Sequence, residues 1–426
     1  MDTIYALATA TGVAGVAVIR VSGPGASVSC RAITGLKANS KKPRVSKIVN
    51  SSGGLIDRGL VLWFDEGKSF TGEATAEYQV HGSSAVVRAL LEELSLQPKH
   101  RLASPGEFTR RALENGRLDL TQIEGLADLL NSETEAQRRQ AIRVFEGSIG
   151  QRVEGWRKNL IRAAALIEVT IDFSDEDVPE GLNAEVADLL RQLISDIEAE
   201  IKTVRLAERL RGGFEIAIVG SPNVGKSTLL NALAGRDAAI TSSLAGTTRD
   251  VIEVKMDLEG IPVTFLDTAG LRDSNDEIET LGISLTKKRA NRADIRVFLG
   301  DKLESRYEIE QKNEDIVISG KADLTGVGVS GLTGFGIHEL ISNISEKLKK
   351  MVSSIGVATH DRHRRAMQDA VLALKTALSE LKEDAPRSEV IAEELRQSAS
   401  FLEKMVGKVG VEVLLDEIFA SFCLGK

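Results

Sequence analysis

A glycine-rich segment at residues 220–227, Gly-Ser-Pro-Asn-Val-Gly-Lys-Ser, combines the residue types that hold a phosphate group. Apolar residues 214–219 precede it and helix-forming residues 228–233 follow it, so the predicted order is strand, loop and helix. Such a loop turns successive backbone N–H groups toward one anion, and the helix directs its positive end to the same point. Lys226 can reach the β- and γ-phosphates, and the Ser227 hydroxyl can bind Mg²⁺. We therefore predict a nucleotide phosphate-binding loop.

Two later segments have the composition of loops that respond to a γ-phosphate. A β-like run at 263–266 ends in Asp-Thr-Ala-Gly at 267–270. The Asp can hold Mg²⁺ through water, and Gly270 lets a backbone N–H approach the γ-phosphate. Between this run and the phosphate loop lies the polar segment 245–250, Ala-Gly-Thr-Thr-Arg-Asp, whose threonines can close over the metal. We predict that both segments act as nucleotide-dependent switches.

The base is predicted to be chosen by residues 320–323, Gly-Lys-Ala-Asp. The Asp323 carboxylate can accept hydrogen bonds from guanine N1–H and the 2-amino group, while the Lys321 stem packs on the ring. GTPases usually begin this motif with Asn or Thr, and Gly320 removes that side-chain contact. We therefore expect guanine selectivity to depend on Asp323.

The surrounding base-side region is unusual in length. Residues 329–331, Val-Ser-Gly, resemble the last base-side loop of GTPases, with Gly where Ala is usual. The stretch from 300 to 334 is short for this fold. Either this stretch is naturally shorter in this protein or residues are missing from the sequence, and both interpretations are open.

Position 271 bears on the hydrolytic step. Ras-like enzymes place a Gln directly after Asp-x-x-Gly to orient the attacking water. This chain has Leu271, which cannot hydrogen-bond water. Either hydrolysis is negligible or another group aligns the water, and the acidic candidates that follow are Asp273, Asp276, Glu277 and Glu279.

Helical periodicity is present on both sides of this predicted α/β unit. Apolar residues recur every three or four positions before it, at Val153, Trp156, Leu160, Ala164, Ile167 and Ile171. After it they recur at Met367, Val371, Leu374, Leu378 and Leu381, and again at Ile391, Leu395, Leu402 and Val406. The pattern favours one bundle completed when the chain returns, and two unrelated helical pieces are the alternative.

Composition limits the class of protein. The chain has 426 residues, of which 27% are charged, and a net charge of −8, so a broad nucleic-acid-binding face is not indicated. The basic runs 41–44 and 360–365 are candidates for a local nucleic-acid contact or are plain surface. Cys30 and Cys423 cannot form a disulfide framework, which fits a reducing cytoplasm. No 18-residue apolar span is present, so we expect a soluble cytoplasmic protein that does not enter a membrane.

Taken together, the motifs resemble the tRNA-modification GTPase family MnmE (also called TrmE), of the TrmE-Era-EngA-like class, nearly end to end. The Cys-Leu-Gly-Lys ending at 423–426 is the most diagnostic of them. The other matching segments are 2–9, 18–23, 69–73, 81–82, 105–109, 115–120 and 171–173.

The resemblance implies a multidomain α/β fold. It consists of an N-terminal α+β folate-binding domain, an all-α helical domain, and a Ras-like P-loop α/β G domain inserted within the helices. The implied ranges are 1–116 for the N-terminal folate-binding and dimerisation domain, 117–211 for the first helical part, 212–349 for the G domain and 350–426 for the second helical part.

The resemblance also implies a function. Members act as homodimers with the flavoprotein MnmG, in a heterotetramer-type complex, to install a C5 aminomethyl or carboxymethylaminomethyl group on the wobble uridine U34 of certain tRNAs. GTP hydrolysis is stimulated by K⁺ as the G domains dimerise. The implied cofactors are GTP, Mg²⁺, K⁺ and a tetrahydrofolate derivative. Two alternatives remain open: a regulatory GTPase switch, for example in ribosome assembly, and a scaffold with a vestigial nucleotide site.

Site residues follow from the motifs and the resemblance together. The catalytic candidates are Glu279, Cys423 and Lys226, although Cys423 is equally open to a packing role. The GTP-binding candidates are Asn223, Val224, Gly225, Lys226, Ser227, Thr228, Ser242, Thr247, Thr248, Asp267, Thr268, Ala269, Gly270, Lys321 and Asp323. By resemblance, Ser227 and Thr248 hold Mg²⁺, and Asn223, Ser242, Leu244 and Thr247 hold K⁺. The folate candidates are Arg20, Glu77, Arg117 and Lys426.

Overall fold

A computed structural model describes residues 2–37, 42–172, 181–221, 223–235, 253–267, 290–300, 314–407 and 425. The chain divides into two compact units, one formed by Met1–Ala127 with Glu403–Lys426 and the other by Asp128–Leu402. The domain boundaries implied by the sequence stay a prediction.

The first unit is built on a six-stranded sheet. Its strands are β1 (Thr3–Leu7), β2 (Ala14–Ser22), β3 (Arg44–Val49), β4 (Leu55–Phe64), β5 (Thr75–Gly82) and β6 (His100–Leu102), in the order β3-β4-β5-β2-β1-β6. All neighbours are antiparallel except β1 and β6. The helices are α1 (Ala26–Thr34), α2 (Ser84–Ser95), α3 (Glu107–Glu114) and α4 (Leu120–Leu130), of which α4 continues into the second unit. Ile19, Val21 and Tyr78 alternate on the buried face and form the core with Leu90 and Leu94 of α2.

The second unit contains a five-stranded sheet of the kind that the phosphate-loop motif requires. Its strands are β7 (Phe214–Gly220), β8 (Glu253–Leu258), β9 (Ile261–Asp267), β10 (Ile295–Leu299) and β11 (Ile316–Ile318), in the order β11-β10-β7-β9-β8. Only the β8–β9 hairpin is antiparallel. The associated helices are α8 (Lys226–Ala234), α9 (Ala322–Thr325) and α10 (Ile337–Ser353).

The central position of β7 decides where the site lies. Parallel strands covered by helices read as continuous apolar runs, and Phe214, Ile216 and Ile218 of β7 are fully buried. The phosphate loop therefore begins at the carboxyl end of β7, which lies between β9 and β10 in the sheet. This α/β domain, together with the α+β sheet and the helices, confirms the predicted multidomain α/β fold class.

Long helices complete the second unit. They are α5 (Glu135–Phe145), α6 (Ser148–Asp172), α7 (Leu182–Gly212), α11 (Asp361–Glu380) and α12 (Ser388–Met405), of which α12 continues into the first unit. Helix α7 precedes the α/β domain in sequence and packs against α11, which follows it. The helices on either side of the G domain therefore belong to one bundle, as the periodicity predicts. Among the described helices, none is both long and apolar enough to cross a membrane.

Candidate nucleotide-binding site

The phosphate loop has the geometry that its glycines permit. Asn223 and Gly225 both adopt positive φ, 63° and 106°, and Gly225 is the N-cap of α8. A Cβ at Gly220 would lie 2.6 Å from the backbone oxygen of Leu299 on β10, so only glycine fits there. The tight turn therefore brings the first turn of α8 directly after β7, where its N–H groups and dipole favour an anion.

Lys226 lies inside the loop that precedes it. Its side chain is largely buried, and Nζ donates to the backbone oxygens of Gly220 at 2.8 Å and Ser221 at 2.9 Å. These carbonyls hold the ammonium beside the mouth of the loop. An anion there would gain a charge-assisted hydrogen bond, which is about twice as strong as a neutral one.

The base-side residues lie across the same pocket. Residues 319–323 follow β11, and Lys321 takes a left-handed conformation with φ 55° that starts the short helix α9. Ser330 Oγ donates to Asp323 Oδ1 at 2.6 Å, which orients the carboxylate. The carboxylate retains acceptor capacity for the N1–H and 2-amino donors of guanine.

One cavity of about 490 Å³ connects the two halves. Its lining includes every residue from Asn223 to Thr228 together with Lys321 and Asp323, all of which the sequence singled out. Its size suits a nucleotide-sized ligand. The structure thus brings together the predicted phosphate-binding and base-binding residues, which are about a hundred positions apart in sequence.

Some apolar side chains of the pocket were not found from the sequence. Leu324 and Leu332 line it although they are 78% and 77% exposed. The available signal was a leucine placed directly after Asp323 and another directly after Gly331. An aromatic base bound here would cover both.

Several predicted residues lie outside the described part of the chain. For Asp267, the backbone is described: it ends β9 and pairs with Ile218 of β7, which places this strand end beside the phosphate-loop strand. The predicted residues that lie outside the description are Ser242, Leu244, Thr247, Thr248, Thr268, Ala269, Gly270, Glu279, Cys423 and Lys426.

The described part of the chain offers oxygen donors for a metal at the nucleotide pocket. Over these ranges, no group of three or more His, Cys, Asp or Glu side chains is arranged to hold a metal. Ser227 and Asn223 line the cavity and offer hydroxyl and amide oxygens. Oxygen donors of this kind suit hard cations such as Mg²⁺, so the residues present fit the predicted ions.

The predicted folate residues lie in the first unit. Arg20 on β2 is directly opposite Glu77 on β5, and its Nε donates to Glu77 Oε1 at 2.8 Å. The guanidinium lies 5.5 Å and 5.7 Å from the ring centres of Phe70 and Phe108, and Nη1 donates to the Gly425 backbone oxygen at 3.5 Å.

This pair suits an aromatic ligand with donor and acceptor groups. Its side chains are only 18% and 16% exposed, and a guanidinium and a carboxylate between aromatic rings can bind such a ligand. The Cγ of Arg117, the third described folate candidate, lies against Gly72. The residues present therefore fit a folate derivative.

Comparison with known proteins finds two family models and many curated proteins that match this chain. Residues 3–117 match the family model described as the GTP-binding protein TrmE N-terminus, and residues 120–423 match the MnmE helical domain. Curated proteins named tRNA modification GTPase MnmE are similar over the full length of both chains. They include those of Roseobacter denitrificans at 56% identity, Cereibacter sphaeroides at 54% and Paracoccus denitrificans at 46%.

The comparison also bears on the short 300–334 stretch. The alignment with the Roseobacter denitrificans protein spans 429 positions and all of both chains, so at most three of its residues lack a counterpart among the 426 here. The short base-side region is therefore shared with that relative. Both family models and the full-length relatives agree, and the chain belongs to the MnmE family of tRNA modification GTPases.

Proposed function

We propose that this chain binds and hydrolyses GTP and that hydrolysis serves the modification of tRNA. The observation that carries the proposal is the single cavity in which the phosphate loop and Asp323 face the same space. The family, whose curated members are named tRNA modification GTPases, supports tRNA as the substrate. The reaction is phosphoryl transfer from GTP to water, in which catalysis is mostly positioning and charge stabilisation.

Within the pocket, the residues have separate tasks. Lys226 exchanges its loop carbonyls for β- and γ-phosphate oxygens, and the N–H groups of the first α8 turn hold the same phosphates. Ser227 and Thr248 hold Mg²⁺, which when bound offsets the charge that develops on the phosphate oxygens. Because Leu271 cannot align water, we assign that task to Glu279.

A monovalent cation is proposed to replace an arginine finger. Asn223 and Thr247, with the backbone carbonyls of Ser242 and Leu244, form the proposed K⁺ site. An arginine finger contributes about 10³–10⁵ in rate, and K⁺ is expected to supply part of that factor. K⁺ binding would also stabilise a dimer of G domains, consistent with the proposed homodimer.

The modification chemistry is proposed to use a second site and a partner. The folate residues Arg20, Glu77, Arg117 and Lys426 would bind a tetrahydrofolate derivative that supplies the transferred carbon. The flavoprotein MnmG, in a heterotetramer-type complex, would supply the redox step, and the target would be C5 of the wobble uridine U34. Cys423 is the proposed thiol of this step. We place the activity in the cytoplasm, where tRNA is available.

The cation role is tested by steady-state GTP turnover in KCl and in NaCl. We expect faster turnover in KCl, and Asn223→Ala should abolish the difference. Asn231→Ala, on the exposed face of α8, is the matched control and should keep it. Equal rates of the wild-type protein in the two salts would count against the cation site.

The modification role is tested by mass analysis of wobble nucleosides in cells that lack the protein. Loss of the C5 substituent on U34 is expected, with rescue by the wild-type gene but not by Cys423→Ser, while the purified variant hydrolyses GTP normally. An unchanged nucleoside pattern combined with a ribosome-assembly defect would instead favour a regulatory GTPase switch.

A further inference from the structure

The N-terminal part of the chain has a charge balance opposite to that of the whole protein. No Asp or Glu occurs from residue 3 to residue 56, although the whole chain has 62 of them and a net charge of −8. Seven Lys and Arg residues fall in that segment. Of these, Arg20 pairs with Glu77, and the other six lie between residues 31 and 47. Unless acids from other segments lie beside it, this stretch forms a local cationic surface.

The structure brings these cations to one edge of the six-stranded sheet. Strand β3 is the outermost strand, and α1 packs beside it, with Ser46 Oγ donating to the Thr34 backbone oxygen at 3.1 Å. Because side chains alternate along a strand, Arg44 faces the α1 side with Ser46, and Lys47 faces the opposite side. Arg58 of β4 is directly opposite Lys47. We use the name basic edge for the exposed, described cations of this region, which are Arg31, Lys37, Lys42, Arg44, Lys47 and Arg58.

The charges of the basic edge are not compensated by nearby carboxylates. Among the described residues, no carboxylate forms an ion pair with Arg31, Lys37, Arg44, Lys47 or Arg58. Asp57, the first acid after the segment, is held by His81: Oδ2 accepts the His81 backbone N–H at 2.8 Å, and Oδ1 lies 2.9 Å from Nδ1. Like charges at directly opposite positions of a sheet, such as Lys47 and Arg58, are destabilising. The fold therefore gains nothing from this concentration of charge, and an external anion would.

The second basic run of the sequence, 360–365, differs in this respect. Asp361 pairs with Arg364 at 2.5 Å and with Arg365 at 2.7 Å. His360 Nε2 lies 3.3 Å from Asp128. Much of the charge of this run is therefore compensated within the fold. Of the two candidates for a local nucleic-acid contact, the structure favours the one at the sheet edge.

Protection of an edge strand does not account for the whole basic edge. Charged side chains on an edge strand prevent pairing with other chains, and this role covers Arg44 and Lys47 on β3. Arg31 lies on α1 and Lys37 follows it, and both line the same surface depression. A guanidinium is a planar fork that binds phosphate oxygens in pairs, and an ammonium beside it adds a second charge. This arrangement suits a phosphate group.

We propose that the basic edge is the surface on which this chain holds the phosphate backbone of its tRNA substrate. The inference rests on the proposed function in tRNA modification and adds where the polyanion lies on the protein. Cations occur on both sides of the edge, so the backbone can follow it from the α1 side to the opposite side. Phosphate contacts position a nucleic acid and carry no sequence information. The basic edge therefore binds tRNAs irrespective of their anticodon.

The salt dependence of tRNA binding tests the charge argument on the unaltered chain. The full chain is titrated into a fluorescently labelled tRNA transcript, and anisotropy gives the dissociation constant at each KCl concentration. Five phosphate contacts predict a slope of about −3.5 to −4.5 for log K against log salt, which is a loss of roughly 100- to 500-fold in affinity between about 50 and 200 mM KCl. Two tRNAs with different anticodons should bind within about twofold of each other.

Two double variants locate the contacts. Arg31→Gln with Lys37→Gln removes cations on the α1 side, and Lys47→Gln with Arg58→Gln removes the pair on β3 and β4. Each should weaken tRNA binding at about 100 mM KCl by roughly 25- to 60-fold and make the slope less steep by about 1.4–1.8, while GTP turnover is unchanged.

The matched control removes the same charge elsewhere. Arg162→Gln with Arg191→Gln alters two exposed arginines that pair with Glu185 and Asp188, and this variant should bind tRNA like the wild type. Urea unfolding checks the folding of every variant. Lys47→Gln with Arg58→Gln should unfold at an equal or higher urea concentration than the wild type, because a like-charge pair is removed. A lower urea midpoint together with normal tRNA binding would assign these cations to the fold and overturn the proposal.

The outcomes separate this inference from the proposed function. Unchanged tRNA binding in both double variants would overturn the inference alone, since loss of the U34 substituent in cells without the protein would still support tRNA modification. Binding to phosphatidylserine vesicles that the double variants lose, with tRNA binding retained, would identify a membrane surface and overturn it as well. If the unaltered chain bound no tRNA at about 50 mM KCl, the inference would also fall, and the nucleoside analysis would decide the proposed function by itself.

Discussion

Glu200 holds the chain where it leaves the G domain, and its replacement gives a prediction with a calculable size. Glu200 lies in α7 with only 6% of its surface exposed. Its Oε1 accepts the backbone N–H groups of Val357 and Ala358, the latter at 2.8 Å. These residues lie in the connection between α10 and α11, so one carboxylate oxygen fixes the end of the inserted domain to the helical bundle.

The magnitude follows from the two bonds. Hydrogen bonds to a charged group contribute about 1.5–3 kcal/mol each, and buried donors left without an acceptor cost a similar amount. Glu200→Ala removes the acceptor of both N–H groups, so we expect unfolding free energy to fall by about 3–5 kcal/mol. Glu200→Gln can keep a carbonyl oxygen at the Oε1 position and loses only the charge, so about 1–2 kcal/mol is expected.

Two measurements check this prediction. Urea unfolding gives the change in stability, and hydrogen exchange of the peptide spanning 355–360 reports the two amides directly. Glu198→Ala is the matched control, because Glu198 lies on the same helix but is exposed and pairs with Lys375 at the surface. Its exchange and stability should stay near those of the wild type. Unchanged exchange at Val357 and Ala358 in Glu200→Ala would refute the reasoning.

Three further predictions concern other described contacts. The pKa of Glu135 is lowered from 4.5 to about 2 because Arg138, and then Arg139, donate hydrogen bonds to its carboxylate. The stability that these bonds give the folded protein is fully present above pH 4.5 and is lost as the pH falls through about 2. The difference in Tm between the wild type and Glu135→Gln should therefore shrink as the pH falls from 4.5 to 2. The side chains of Arg296 and Asp315 are each 1% exposed and form a bidentate pair. Asp315→Ala should therefore lower stability in urea by about 3–5 kcal/mol, and a smaller loss would indicate that water reaches the guanidinium. Ser227→Ala should slow Mg²⁺-dependent GTP turnover at least roughly tenfold while GTP binding in EDTA is retained; normal turnover would exclude the hydroxyl as a ligand.

Local patterns predicted much of the fold. The glycine spacing of residues 220–227 needs only its immediate neighbours to form a loop between strand and helix, because backbone conformation at Gly225 is set by the absence of a Cβ. The apolar periodicity of α6 and α11 likewise predicted helices with one buried face. Such signals depend only on residues within a few positions of one another, so they can be recognised without knowledge of the rest of the chain.

These local patterns could not predict contacts between residues that are far apart in sequence. Nothing in the sequence around Glu200 indicates that it accepts the N–H groups of Val357 and Ala358. The close approach of Gly320 to Val224 also depends on the strand order, in which β10 lies between β11 and β7. Both contacts result from strand order and helix packing. Other sequences with the same local motifs can differ in that strand order and packing.

The sequence by itself predicted that a phosphate loop follows a buried strand, that Asp323 recognises the base and that helices lie on both sides of this unit. Only the tertiary structure decided that Ser330 orients Asp323, that Arg20 and Glu77 are neighbours across two strands, and that no side chain fits at Gly320. The physical reason is that backbone conformation and helix periodicity are local properties, whereas hydrogen-bond partners and steric exclusion depend on atoms brought together only when the chain is folded.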